Sequence, residues 1–151
     1  MKKIQKLLIL IAVALSGLLN TACDKVPMNG DLDGMWQLMD IEYTDGTHQT
    51  PDKQRYMCIQ LHLIQLTVYS NVHRGIYSHF THNGDELRLY DFYDLRHWMN
   101  TETTNEVLED ASQLEPWGIS GLDVTYHIVK LNGSALILKD PSGTLLTFRK
   151  F

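Results

Sequence analysis

Asn83-Gly84 and Asn132-Gly133 constrain this chain most strongly, because each stands between two runs in which apolar and polar residues alternate. Asn-Gly accepts the positive φ angles that a two-residue hairpin turn demands, so the flanking runs should fold back on each other as antiparallel strands. The first pair is His73 to Thr81 with Glu86 to Tyr90; the second is Asp123 to Leu131 with Ser134 to Lys139. Asp140-Pro141-Ser142-Gly143 then turns the chain into Thr144 to Phe151, making the last three strands a meander.

The same period extends upstream. A first strand runs from Gly34 to Tyr43, with Trp36 and Leu38 on one face and Met39, Ile41 and Tyr43 on the other, so a bulge is expected near Asp40. Thr44 to about Gln54 reads as a polar loop. In Tyr56 to Tyr69 the apolar phase passes from Met57, Ile59, Leu61 and Leu63 to Ile64, Leu66 and Val68, which predicts one long strand bent by a bulge near Leu63. One stretch departs from this period. Thr103-Thr104-Asn105-Glu106 fits a capping box ahead of Val107, Leu108, Ala111 and Leu114, predicting a short helix that stops before Pro116 and lies over one mouth of the sheet structure. Seven or eight strands with a single short helix cannot hide their edges by layering. The expected fold is therefore all-β, an antiparallel up-and-down barrel.

The N-terminus carries a different signal. Lys2, Lys3 and Lys6 precede an apolar run from Leu7 to Leu19, as in a secretory signal, and the run is too short to span a bilayer comfortably. Leu19-Asn20-Thr21-Ala22-Cys23 resembles a bacterial lipobox, which implies cleavage after residue 22 and lipid modification of Cys23. The expected organisation is a signal peptide over 1–22, a lipidated cysteine and tether over 23–33, and a barrel over 34–151. Residues 1–22 include three of the 13 basic residues and none of the 18 acidic ones, so the remainder holds 10 against 18, a net charge of −8. Such a surface repels phosphate backbones, which excludes nucleic acid as a partner. The expected location is the cell envelope, anchored to a bacterial membrane, with the outer membrane favoured. Cys23 could pair with Cys58 only if it carries no thioether, and Met57 and Ile59 mark Cys58 as a packed thiol.

Gly34-Met35-Trp36 resembles the Gly-X-Trp motif of the lipocalin and calycin barrels, whose tryptophan closes the barrel bottom beneath an arginine from the last strand. Arg149 stands where that arginine would be. The mature domain is also similar to lipocalin-like bacterial lipoproteins of unknown function, through Tyr56 to Leu66, Leu114 to Ile119 and Thr147 to Lys150. The resemblance implies a scaffold in which Gly34, Trp36 and Arg149 are structural.

Chemistry-bearing residues are sparse. No nucleophile elbow, phosphate loop or metal motif occurs, and Cys58 and His62 lie four residues apart on one expected strand, about 13 Å, so no enzyme is expected. The expected function is binding of a small apolar or amphipathic molecule, with no cofactor. The expected lining is Trp36, Leu38, Met57, Ile59, Leu61, Ile76, Phe80 and Tyr126, rimmed by Tyr93 and Trp98 from an Asp91 to Trp98 loop in which Arg96 would orient the ligand. A protein-interaction module or hydrolase inhibitor acting through the loops is the alternative. Zinc held by histidines such as His62, His79 and His127, with His73, His82 and His97 near strand ends, is third.

Overall fold

The computed structural model describes residues 28–51, 54–69, 75–95 and 105–151. The signal segment 1–22, Cys23, His73, Arg96, His97, Trp98 and the Thr103-Thr104 half of the capping box lie outside the described residues. Ten strands follow one another: β1 (Gly34–Glu42), β2 (His48–Gln49), β3 (Arg55–Gln60), β4 (Leu63–Val68), β5 (Gly75–Asn83), β6 (Glu86–Leu95), β7 (Asn105–Val107), β8 (Asp123–Leu131), β9 (Ala135–Lys139) and β10 (Leu145–Lys150). Eight of them pair antiparallel in the order β1-β3-β4-β5-β6-β8-β9-β10, and β10 returns to pair with β1. These eight strands thus form a closed up-and-down barrel in which each has a neighbour on both sides. The short strands β2 and β7 hang from β1 and β6 at the rim.

Both hairpins form where expected, but of the four Asn-Gly residues only Gly84 takes a positive φ. In the first, Gly84 takes φ +62°; in the second, the Asn132 side-chain oxygen accepts from the Ser134 and Ala135 amides. The bulge expected near Asp40 is present as a register shift between Leu38 and Asp40 in β1, and it keeps Trp36, Leu38 and Ile41 all on the inner face.

Three segments differ from the sequence expectation. Tyr56 to Tyr69 is a hairpin, because the chain reverses at Leu61-His62 and pairs Gln60 with Leu63 and Ile59 with Ile64. A two-residue reversal changes the apolar phase by one, as a bulge does. Leu61 takes φ +57°, which costs a leucine about 1–2 kcal/mol relative to its usual conformations. It therefore projects from the hairpin tip, 56% exposed, and lines nothing.

Asp91 to Leu95 is the continuation of β6, not a loop. Asp91 sits at φ +52° as the extra residue of a bulge, since Ser78 pairs with Phe92 and His79 with Tyr90. Leu87, Leu89 and Phe92 consequently all point inward despite the change of parity. Tyr93 pairs with Tyr77 on the outer face, its ring edge-on to His79, and does not rim the interior.

The helix starts later than its capping box suggests. Asn105–Val107 is strand, and a 3₁₀ helix spans Ala111–Trp117 with Pro116 inside it. Its cap is Asp110, whose carboxylate accepts from the Ser112 amide at 2.6 Å. Gly118 ends it at φ +70° in a Schellman arrangement, with Gly118 N–H donating to the Glu115 carbonyl and Ile119 N–H to the Leu114 carbonyl.

Candidate ligand site inside the barrel

The strand directions place two kinds of connection at opposite ends. The Leu61-His62, Gly84-Asp85 and Asn132 to Ser134 turns lie at one end, with the start of β1 and the finish of β10. The β1–β3, β4–β5, β6–β8 and β9–β10 connections lie at the other. The first end is closed by Trp36, which is fully buried. Its indole N–H donates to the Leu32 carbonyl at 2.8 Å, tying the ring to a 3₁₀ turn at Gly30–Leu32. That turn belongs to the folded body: Leu32 is fully buried and Asn29 is bonded to Asp33, so the last part of the segment read as tether is already structured.

The cation over the Trp36 ring is Lys150, with its ammonium 4.9 Å from the ring centroid and donating to the Asp31 carbonyl. Arg149 instead points outward and donates to the Gln37 side chain at 2.7 Å. Strand alternation explains the exchange, because Phe148 is buried inside and Lys150 shares its face. Gly34 completes the floor: its φ is +133°, and a Cβ there would lie 2.8 Å from the Lys150 side chain. Lys150→Ala should destabilise the fold by about 0.5–1 kcal/mol, the range for a cation–π contact whose ammonium stays solvated. Arg149→Ala should cost well under half of that. Urea unfolding of the two variants checks the order.

Above the floor, Leu38, Met57, Ile59, Ile64, Leu66, Leu87, Leu136 and Phe148 are packed and essentially inaccessible. Of the expected lining, Trp36, Leu38, Met57, Ile59, Ile76, Phe80 and Tyr126 are all buried in one core, Ile76 opposite Leu66 and Tyr126 opposite Leu87, with Tyr126 also near Asp140 in the half toward the long connections. That half is partly covered by Leu114, Trp117 and Ile119 from the 3₁₀ helix and its end. The expectation of a helix over one mouth therefore holds in place, though not in its starting residue.

Polarity enters the interior here. Arg55 alternates with inward Met57, and its guanidinium lies 5.3 Å over the Trp117 ring. Register puts Asp94 on the inner face opposite Ile76. Three further polar atoms are buried without a hydrogen-bond partner: Ser78 Oγ, Tyr126 OH and Trp117 Nε1. Burial, with Asp140 near, pushes the Tyr126 phenol well above its ordinary range, so it stays a neutral donor and acceptor. Ser78 and Arg55 were legible as inward from their spacing to Ile76 and Met57. Asp94 was not, because its phase depends on the Asp91 bulge.

Among the described residues the histidines do not converge. His62 is in a hairpin turn, His79 and His127 face Asp91 and Asp85 on the outside, and His48 pairs with Asp40 at 2.8 Å, which raises its pKa. Among the described residues no three of His, Cys, Asp and Glu are grouped to hold a metal. Cys58 is a free, half-buried thiol on the outer face, its pKa raised by burial. Among the described residues no helix is long and apolar enough to cross a membrane.

A closed eight-strand meander with a tryptophan floor and long connections at the other end defines a calyx-type barrel. The chain belongs to the lipocalin-like domain family, whose model matches residues 17–151. It is similar to a lipocalin-like protein from Bacteroides uniformis at 22% identity and TM-score 0.59, over 81% of this chain and all of that one. An uncharacterized protein from Bacteroides eggerthii matches at 23% identity and TM-score 0.57, over 79% of this chain and 98% of that one. A Burkholderia xenovorans protein shares the fold at 14% identity and TM-score 0.52, over 79% of this chain and 82% of that one. No curated protein matches the chain.

Proposed function

We propose that this protein is an exported lipoprotein, anchored through Cys23, whose barrel takes up a small amphipathic molecule in the half toward the long connections. The observation that carries the binding reading is the set of buried, unpartnered polar atoms Ser78 Oγ, Tyr126 OH and Trp117 Nε1. Each leaves a buried hydrogen bond unmade, which costs about 1–3 kcal/mol, and a ligand carrying a hydroxyl or carbonyl group would supply it. The apolar body would lie against Ile76, Phe92 and Tyr126, with Arg55 toward the mouth. Anchoring rests on the basic and apolar leader and the lipobox-like Ala22-Cys23.

Native mass spectrometry of the full chain expressed in a bacterial host, beside the denatured mass, tests the binding reading. A small organic mass lost on denaturation supports it. An empty barrel that also takes up nothing from a panel of fatty acids, monoglycerides and sterols would sink it. The Tyr126→Phe variant gives a sharper sign. Removing an unpartnered buried hydroxyl should raise the stability of the empty protein by about 1 kcal/mol while weakening ligand retention. Opposite movements of unfolding midpoint and bound fraction are the expected result.

A further inference from the structure

The closed end of the barrel carries an apolar tip that none of the described residues covers. Leu61 is 56% exposed, Leu63 beside it across the turn is 43% exposed, and Met28 is 60% exposed. The Asn29 side chain donates to the Leu61 carbonyl at 2.9 Å, so the chain enters the domain beside this hairpin. Asn29 is held a second time, by the Asp33 carboxylate. Leu61 also occupies a left-handed conformation that glycine or asparagine would adopt freely, so an exposed apolar side chain is retained at a strained position. Cys23 lies five residues before Met28 in sequence, a reach of under about 18 Å.

We infer that the closed end is a membrane-docking face, with Leu61, Leu63 and Met28 entering the interface of a lipid bilayer. This rests on the anchoring reading, since the lipidated Cys23 is what brings this end to the surface. The tip from Leu61 to Leu63 holds no carboxylate, lysine or arginine, and the Asp85 carboxylate at the neighbouring turn is exposed, so docking is by apolar contact of the tip and draws nothing from anionic lipid. The barrel then stands with its floor on the membrane. Its long connections, Arg55 and Trp117 point away from the bilayer, and any cargo exchanges with the aqueous side.

The test uses the full chain, processed by a bacterial host, purified and reconstituted in phosphatidylcholine vesicles doped with doxyl-labelled lipid. An environment-sensitive fluorophore is attached through Leu61→Cys, and in a second sample through Gln113→Cys on the 3₁₀ helix at the other end, both in a Cys58→Ser background. Intact mass reports acylation separately. The expected result is an acylated protein whose fluorescence is lost to doxyl quenching at position 61 and retained at position 113. An acylated protein bound to vesicles and quenched at neither position, or equally at both, overturns the docking face and leaves the anchor standing. A protein without acyl chains overturns the anchor, and the docking face with it.

Discussion

Replacing Trp36 by alanine should lower the unfolding free energy by about 3–5 kcal/mol, the range for removing a large aromatic from a packed core. Three losses coincide at this position. The indole is fully buried, its N–H holds the Leu32 carbonyl, and its face receives the Lys150 ammonium. Typical domains are stable by about 5–15 kcal/mol, so the variant should sit near the edge of folding at growth temperature. Trp36→Phe separates the contributions: it keeps most of the apolar volume and loses the hydrogen bond. Chemical denaturation of both, with the slope compared to the parent, checks the expectation. An alanine variant within 1 kcal/mol of the parent, as an order of magnitude for a tolerated core change, would show that the barrel floor is not where the fold is held.

Gly118→Val should be the other severe change. A Cβ at this position would stand 2.5 Å from Leu146 Cδ2 and 3.0 Å from Ile41 Cδ1, both side chains of the packed inner face. The residue also sits at φ +70°, which a β-branched side chain resists. Conformational strain and overpacking together should cost about 2–4 kcal/mol. The consequence is local as well as global, because Gly118 closes the 3₁₀ helix that carries Leu114 and Trp117 into the mouth. The substitution should expel that segment before it unfolds the barrel. Trp117 fluorescence shifting to the red, at denaturant concentrations where the sheet is intact by circular dichroism, is the expected signature; a single coincident transition would contradict it.

Legibility from sequence followed the chemistry of individual turns. The Asn83-Gly84 and Asn132-Gly133 hairpins were readable from their turn chemistry, Gly84 by taking a positive φ and Asn132 by accepting the Ser134 and Ala135 amides with its side chain. The Leu61-His62 turn was not, because a leucine takes the strained position and no turn-forming residue marks it. Its phase change was indistinguishable from a bulge. Asp91 hid the second half of β6 in the same way, since a single residue at positive φ moved Phe92 and Asp94 inward and Tyr93 outward. At the helix, the Thr103 capping box competed with Asp110, and pairing of Asn105–Val107 with β6 decided against the earlier start. Lys150 could have been preferred to Arg149 from parity alone, given an inward Phe148; the family pattern drew attention to the wrong cation. The interior polar atoms needed the structure, because no spacing rule tells whether a buried hydroxyl finds a partner.

Closure of the sheet through β10 also governs when the barrel can form. The sealing strand pairs with β1, so Trp36 meets Lys150 only across almost the whole length of the domain. Such pairings are slow to find, because the loop they close is long and nothing rewards the search until it ends. Until Leu145 to Lys150 are available, β1 and β9 are open edges able to pair with other chains. Until β10 docks, any chaperone serving the chain has to shield two strand edges as well as the inner face that Leu146 and Phe148 cover.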